Sequence, residues 1–117
     1  MNNEQQFYFA LGYCTFILLV SLVYKLFPPK KINYLYGYRT PRSMKNPDIW
    51  KEANRFAGSA FFKVSFLGYV FPFLYYFFIP QLNLLLSIIT STLLLIFIVI
   101  LTEKYLDTYF TKDGERK

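Results

Sequence analysis

Arg39, Trp50 and Asn54 carry the most distinctive chemistry in the passage YGYRTPRSMKNPDIWKEANRF, residues 36–56. A guanidinium presents a planar fork that suits a phosphate headgroup or a carboxylate such as Asp48 or Glu52. An indole joins an apolar body to a single N–H donor, and a carboxamide both donates and accepts. Trp50 and Asn54 are four residues apart, which places them on one face of a helix. This is chemistry for recognition rather than for bond-making. The chain has no histidine and one cysteine, Cys14. Histidine-dependent acid/base catalysis, the usual zinc sites and an intrachain disulfide are therefore excluded. No nucleophile–base pair and no phosphate loop is visible. No enzymatic activity, catalytic residue, metal or cofactor is expected.

The elements that position these side chains can be read from hydropathy. Hydrophobic residues make up 55% of the 117, and aromatics 22%, too much for a small soluble domain to hide. Three apolar runs resolve this: residues 7–27, 59–79 and 82–101. A 21-residue helix rises about 31 Å, enough to cross a hydrocarbon core of about 30 Å. Backbone groups in lipid must be satisfied internally, so the fold expected is an all-α membrane protein with three transmembrane helices. Pro28-Pro29 stops the first. Its polar leader MNNEQQ carries no Lys or Arg, and no small-residue cleavage site follows, which disfavours a cleaved signal peptide. Only Pro80-Gln81 separates the second and third runs, which predicts a tight helical hairpin. The chain reads as a single domain, residues 1–117.

Between the first two runs, Gly37 permits a positive-φ turn and Pro41 biases Thr40 away from helix. Tyr34, Tyr36 and Tyr38 suit the headgroup layer. The result is a non-helical corner. Asn46-Pro47-Asp48 then supplies a helix cap, a first-turn proline and a first-turn acid. One helix is expected from Pro47 to about Ile79, its first three turns preceding the membrane and Pro72 kinking its far half. Ala53, Ala57 and Gly58 lie along the Trp50–Asn54 stripe and allow another helix to come close. Trp50 serves as an interface anchor or packs on the corner. Asn54 bridges to the loop backbone or to another span. That face and the corner together suggest a polar pocket. Lys63 sits one turn inside its span and can snorkel. Cys14 reads as a small packing residue. Beyond the third run, Tyr105, Leu106, Tyr109 and Phe110 form a stripe that extends the helix along the membrane surface or docks a cytosolic partner.

The segment from Pro28 to Arg55 holds seven basic and two acidic residues. The C-terminal tail adds Lys104, Lys112, Arg116 and Lys117, whereas the N-terminal tail and the Pro80-Gln81 turn have no Lys or Arg. Positive-inside counting places the N-terminus outside, and the long loop and C-terminus in the cytoplasm. Orientation thus accounts for most of the +6 net charge, and direct nucleic-acid binding is not expected.

The order Gly37-Tyr38-Arg39-Thr40, Ser43, Asn46, Trp50, Ala53-Asn54 resembles the signature of the SdpI family of small bacterial membrane proteins. The resemblance implies an immunity protein of the cell membrane. Such a protein confers resistance to a secreted toxin peptide and signals by holding a transcriptional repressor at the membrane. The partners implied are the bilayer, a toxin peptide and a cytosolic repressor. A second copy of the chain, forming a homo-oligomer, is a further expected partner. The candidate binding residues are Tyr36, Gly37, Tyr38, Arg39, Thr40, Ser43, Asn46, Trp50 and Asn54. The loop charge alone supports an alternative, a structural or anionic-lipid-binding membrane protein with no signalling role.

Overall fold

The computed structural model describes residues 1–117. Four α-helices form, and there is no strand: α1 Asn3–Leu26, α2 Pro47–Leu67, α3 Val70–Phe78 and α4 Asn83–Tyr109. A 3-10 turn, Pro80–Leu82, joins α3 to α4. Three helical segments are long and apolar enough to cross a membrane, with α2 and α3 together making the second. The molecule measures 53 × 23 × 19 Å, so it is longer than a hydrocarbon core of about 30 Å. α1 packs on both α2 and α4, so the bundle closes around three contacts.

The first span starts earlier than the apolar run suggests. Asn2 and Gln5 form a reciprocal capping box, which draws the polar leader into α1 from Asn3. α4 likewise runs past residue 101, to Tyr109. The single helix expected from Pro47 to Ile79 is interrupted at Gly68-Tyr69. The cause lies four residues on: Pro72 has no N–H, so the Gly68 carbonyl loses its helical donor. The Phe71 N–H reaches that carbonyl only at 3.4 Å, and the Cys14 thiol of α1 donates to it at 3.6 Å. Cys14 thus partly replaces the missing hydrogen bond as well as packing.

The spans expose Phe9, Phe16, Leu19, Val23, Phe66, Phe73, Leu93 and Ile96 on their outer faces. Such residues cost nothing in lipid, where apolar surface needs no burial. The tightest core instead lies beside the loop. Tyr38, Ile49, Ala53, Ala57, Leu106 and Phe110 form one buried cluster, with Tyr105 against it. The Tyr105–Phe110 stripe therefore turns inward onto α2; Leu106 and Phe110 are fully buried, and only Tyr109 stays exposed. After α4 the chain doubles back. A single bridge pairs Phe110 with Arg116, and Gly114 turns at φ +91.

Candidate functional site

The loop between α1 and α2 is held from its first residues. The Asn33 side chain accepts from the N–H groups of Leu35 and Tyr36, an Asx-type turn. Tyr36 donates its hydroxyl to the Phe27 carbonyl at 2.7 Å and stays partly exposed. Gly37 follows at φ +113. A Cβ there would lie 2.6 Å from Pro29 Cγ and 2.8 Å from Asn54 Oδ1. Glycine is therefore required twice over, by the backbone angle and by the space.

Asn54 is the hub of the corner. It is 2% exposed, and every polar atom of its side chain has a partner. Oδ1 accepts the Tyr38 N–H at 2.7 Å and also the Tyr24 hydroxyl. Nδ2 donates to the Trp50 carbonyl at 2.9 Å. One carboxamide thus joins α1, the loop and α2. Trp50 adds a second tie, donating its indole N–H to the Pro29 carbonyl at 2.9 Å. The indole is 1% exposed, so Trp50 packs under the corner and is not an interfacial belt residue.

Tyr38 extends the network to α4. Its hydroxyl donates to Glu103 at 2.7 Å and lies 3.3 Å from the Val99 carbonyl. Burial, and then the Glu103 carboxylate, push the phenol well above its ordinary range, so it stays a donor. Ser43 closes the corner: its hydroxyl donates to the Tyr38 carbonyl at 3.0 Å and accepts the Thr40 N–H at 2.9 Å. Thr40 returns the contact by accepting the Ser43 N–H at 3.2 Å. Asn46 caps α2 by accepting the Ile49 N–H at 2.9 Å, and its Nδ2 donates to the Gly114 carbonyl at 2.9 Å. A Cβ on Gly114 would lie 2.6 Å from that nitrogen.

Eight of the nine candidate residues thus take part in this packing, and Arg39 does not. Arg39 is exposed and pairs with neither Asp48 nor Glu52. Those carboxylates are already engaged. Arg116 holds Asp48 through two hydrogen bonds of 2.8 Å, and Arg55 holds Glu52 at 2.9 Å. Arg55 lowers the Glu52 pKa despite partial burial, with help from the Tyr105 hydroxyl at 3.0 Å. The arginine that anchors the loop is Arg42. It pairs with Asp107 and donates to the Phe110 carbonyl at 2.9 Å.

Tyr24, Glu103, Arg42 and Arg116 were not singled out by sequence. Tyr24 lies within an apolar run, and Glu103 is far from the corner in sequence. The charged alternation around Asp107 and Arg116 gave no local spacing rule. The expected polar pocket is also displaced. The space beside the corner is an apolar groove of about 570 Å³, lined by Val23, Tyr36, Tyr38, Ala57 and Phe61 among others. A cavity of about 640 Å³ whose lining residues are mostly polar, though largely through their carbon stems, lies instead between the end of α1 and the start of α2, with Asn54 and Tyr24 in its wall. The corner satisfies its own polar groups and so leaves few to face a cavity.

This arrangement can position a loop against three spans. The profile of the SdpI/YfhL protein family matches residues 30–102, more than half of the chain and the whole of the corner. The uncharacterized protein YfhL of Bacillus subtilis (strain 168) is 51% identical over 43 residues, which cover 37% of this chain and 39% of that relative. The alignment therefore spans well under half of the relative's length. No solved structure matches. With its membrane-length helices, the chain is a multi-pass membrane protein that belongs to the SdpI/YfhL family.

Proposed function

We propose that the chain is an SdpI-type immunity protein of the bacterial cell membrane. It confers resistance to a secreted antimicrobial peptide and signals by presenting its loop face to a transcriptional repressor. The N-terminus lies outside, and the loop and C-terminus lie in the cytoplasm, as the distribution of Lys and Arg favours. The observation that carries the reading is the Asn54 hub. It ties a cytoplasmic loop to α1 and α2, and Tyr38 carries the tie to α4. A peptide that shifts the spans within the bilayer changes the presentation of the loop through these bonds, because a packed network has discrete arrangements.

The test is expression in a host sensitive to a candidate peptide, with survival measured against peptide dose. Wild type should protect. Asn54→Ala should protect less while inserting at the same level. Arg39 probes the signalling arm, because it is exposed and free of structural bonds. Arg39→Ala should leave protection intact and weaken recovery of the repressor with the membrane fraction. Absence of protection by wild type across the peptides of a producing strain would overturn the immunity role.

A further inference from the structure

The cavity between the end of α1 and the start of α2 has an unusual wall. Lys25, Lys30, Lys51 and Arg55 line it together with Asn54 and Ser59, and no carboxylate does. None of the three lysines is within ion-pair distance of an acid. Arg55 is the exception, shared with Glu52 just outside the wall. All four basic residues are exposed, so water screens their mutual repulsion, and the charged ends of Lys30 and Lys51 are free to meet an anion at the mouth of the cavity.

The depth of the cavity identifies that anion. Lys25 stands in the last turn of α1, and its ammonium lies 4.5 Å from the centre of the Phe62 ring. Gly58 brings α2 close to the Lys25 backbone; a Cβ there would lie 3.8 Å from Lys25 Cα. The floor is therefore set among membrane-spanning residues, while Lys30 and Lys51 stand at the rim on the loop and the first turns of α2. A phosphate placed between them lies at the boundary of hydrocarbon and water.

We propose that this cavity binds the phosphate headgroup of an anionic phospholipid. Lys30 and Lys51 hold the phosphate at the rim, the backbone and stem of Lys25, whose ammonium rests over Phe62, form part of the floor, and Ser59 and Asn54 border the glycerol region. The proposal assigns to one cleft the lipid attraction that the loop charge suggests. It does not depend on an immunity role.

The full chain, reconstituted in phosphatidylcholine nanodiscs with increasing phosphatidylglycerol, provides the test. Retained lipid is read by native mass spectrometry after gentle release. Wild type should retain phosphatidylglycerol over phosphatidylcholine. The pair Lys30→Gln with Lys51→Gln should cut that preference on the order of 25-fold, about fivefold for each lysine near the surface. The pair Lys104→Gln with Lys112→Gln removes the same charge from exposed sites off the cavity wall and should cost clearly less, because neither lysine can reach the cavity. Helicity and Trp50 emission show that both pairs fold. An equal loss in both pairs would overturn the proposal in favour of diffuse surface attraction. No loss in the first pair would overturn it outright. Millimolar glycerol phosphate should not displace the lipid; displacement would show that a soluble phosphate, and not the membrane, is the source.

Discussion

Two buried asparagines organise opposite ends of the bundle, and they do so differently. At the loop end, Asn54 joins three segments that are distant in sequence: Tyr24 of α1, Tyr38 of the loop and its own helix through Trp50. At the turn end, Asn83 is equally buried, yet its bonds are local. It donates to the Pro72 carbonyl at 2.9 Å and accepts the Ser87 hydroxyl at 3.0 Å, which closes the connection between α3 and α4. Gln6 of α1 adds a single long-range bond there, accepting the Leu84 N–H at 2.8 Å. The contrast follows from backbone geometry. Within a helix the backbone meets most N–H groups, so the turn end leaves only first-turn groups, such as the Leu84 N–H that Gln6 accepts, to be met by side chains. The non-helical corner brings N–H groups such as that of Tyr38 into a buried place, and a side chain must meet them.

That difference ranks the expected effects of mutation. Asn54→Ala should be the most damaging, because it strands the Tyr38 N–H and the Tyr24 hydroxyl together. A loss on the order of 3 kcal/mol is expected in reversible unfolding in mixed micelles. Gly37→Ala should follow, at about 2 kcal/mol, through strain at its positive φ and the collision with Pro29 and Asn54. Combining Gly37→Ala with Asn54→Ala sharpens the comparison: the pair should cost less than the sum, since both act on one contact. Asn83→Ala should cost only about 1 kcal/mol, in keeping with hydrogen bonds between membrane helices. If Asn83→Ala proved as severe as Asn54→Ala, the distinction between the two ends would fail.

The smallest effect concerns pH. The folded-state pKa of Glu52 is depressed, chiefly by Arg55. Its contribution is therefore present above the unfolded carboxylate range and lost as pH falls through the folded value. Acidification should weaken the Glu52–Arg55 pair within α2 and loosen Tyr105 of α4 from it slightly, visible as a shift in tyrosine fluorescence. Glu52→Gln should flatten that shift, while leaving the Asn54 hub unaffected.

Much of this was legible in the sequence because it is periodic or local. The three spans follow from runs of apolar residues, and the start of α2 from Asn46-Pro47-Asp48. The Ala53–Ala57–Gly58 stripe signalled a close approach, and Gly58 does meet the Lys25 backbone. The break at Gly68 was less legible. Pro72 announces a kink, but the carbonyl it frees lies four residues earlier, and the response there depends on Cys14 of another helix. The partners of the corner were illegible for the same reason. Tyr24 is one tyrosine among 11, and nothing in its surroundings marks it as the one that reaches Asn54. The return of the tail was also hidden. It rests on Gly114 against Asn46 and Arg116 against Asp48, pairs separated by 68 residues. Arg39 shows the converse. It stands out in sequence, yet it is exposed and makes no hydrogen bond or ion pair within the fold.

The central claim is that Asn54 fixes the corner to the spans. Backbone hydrogen exchange in nanodiscs tests it most directly, by comparing wild type, Asn54→Ala and Asn83→Ala over residues 36–43. Fast exchange across that segment in Asn54→Ala, with wild-type protection retained in Asn83→Ala, is the predicted result. Unchanged protection in Asn54→Ala would contradict the account, because the corner would then be held by something other than its hub.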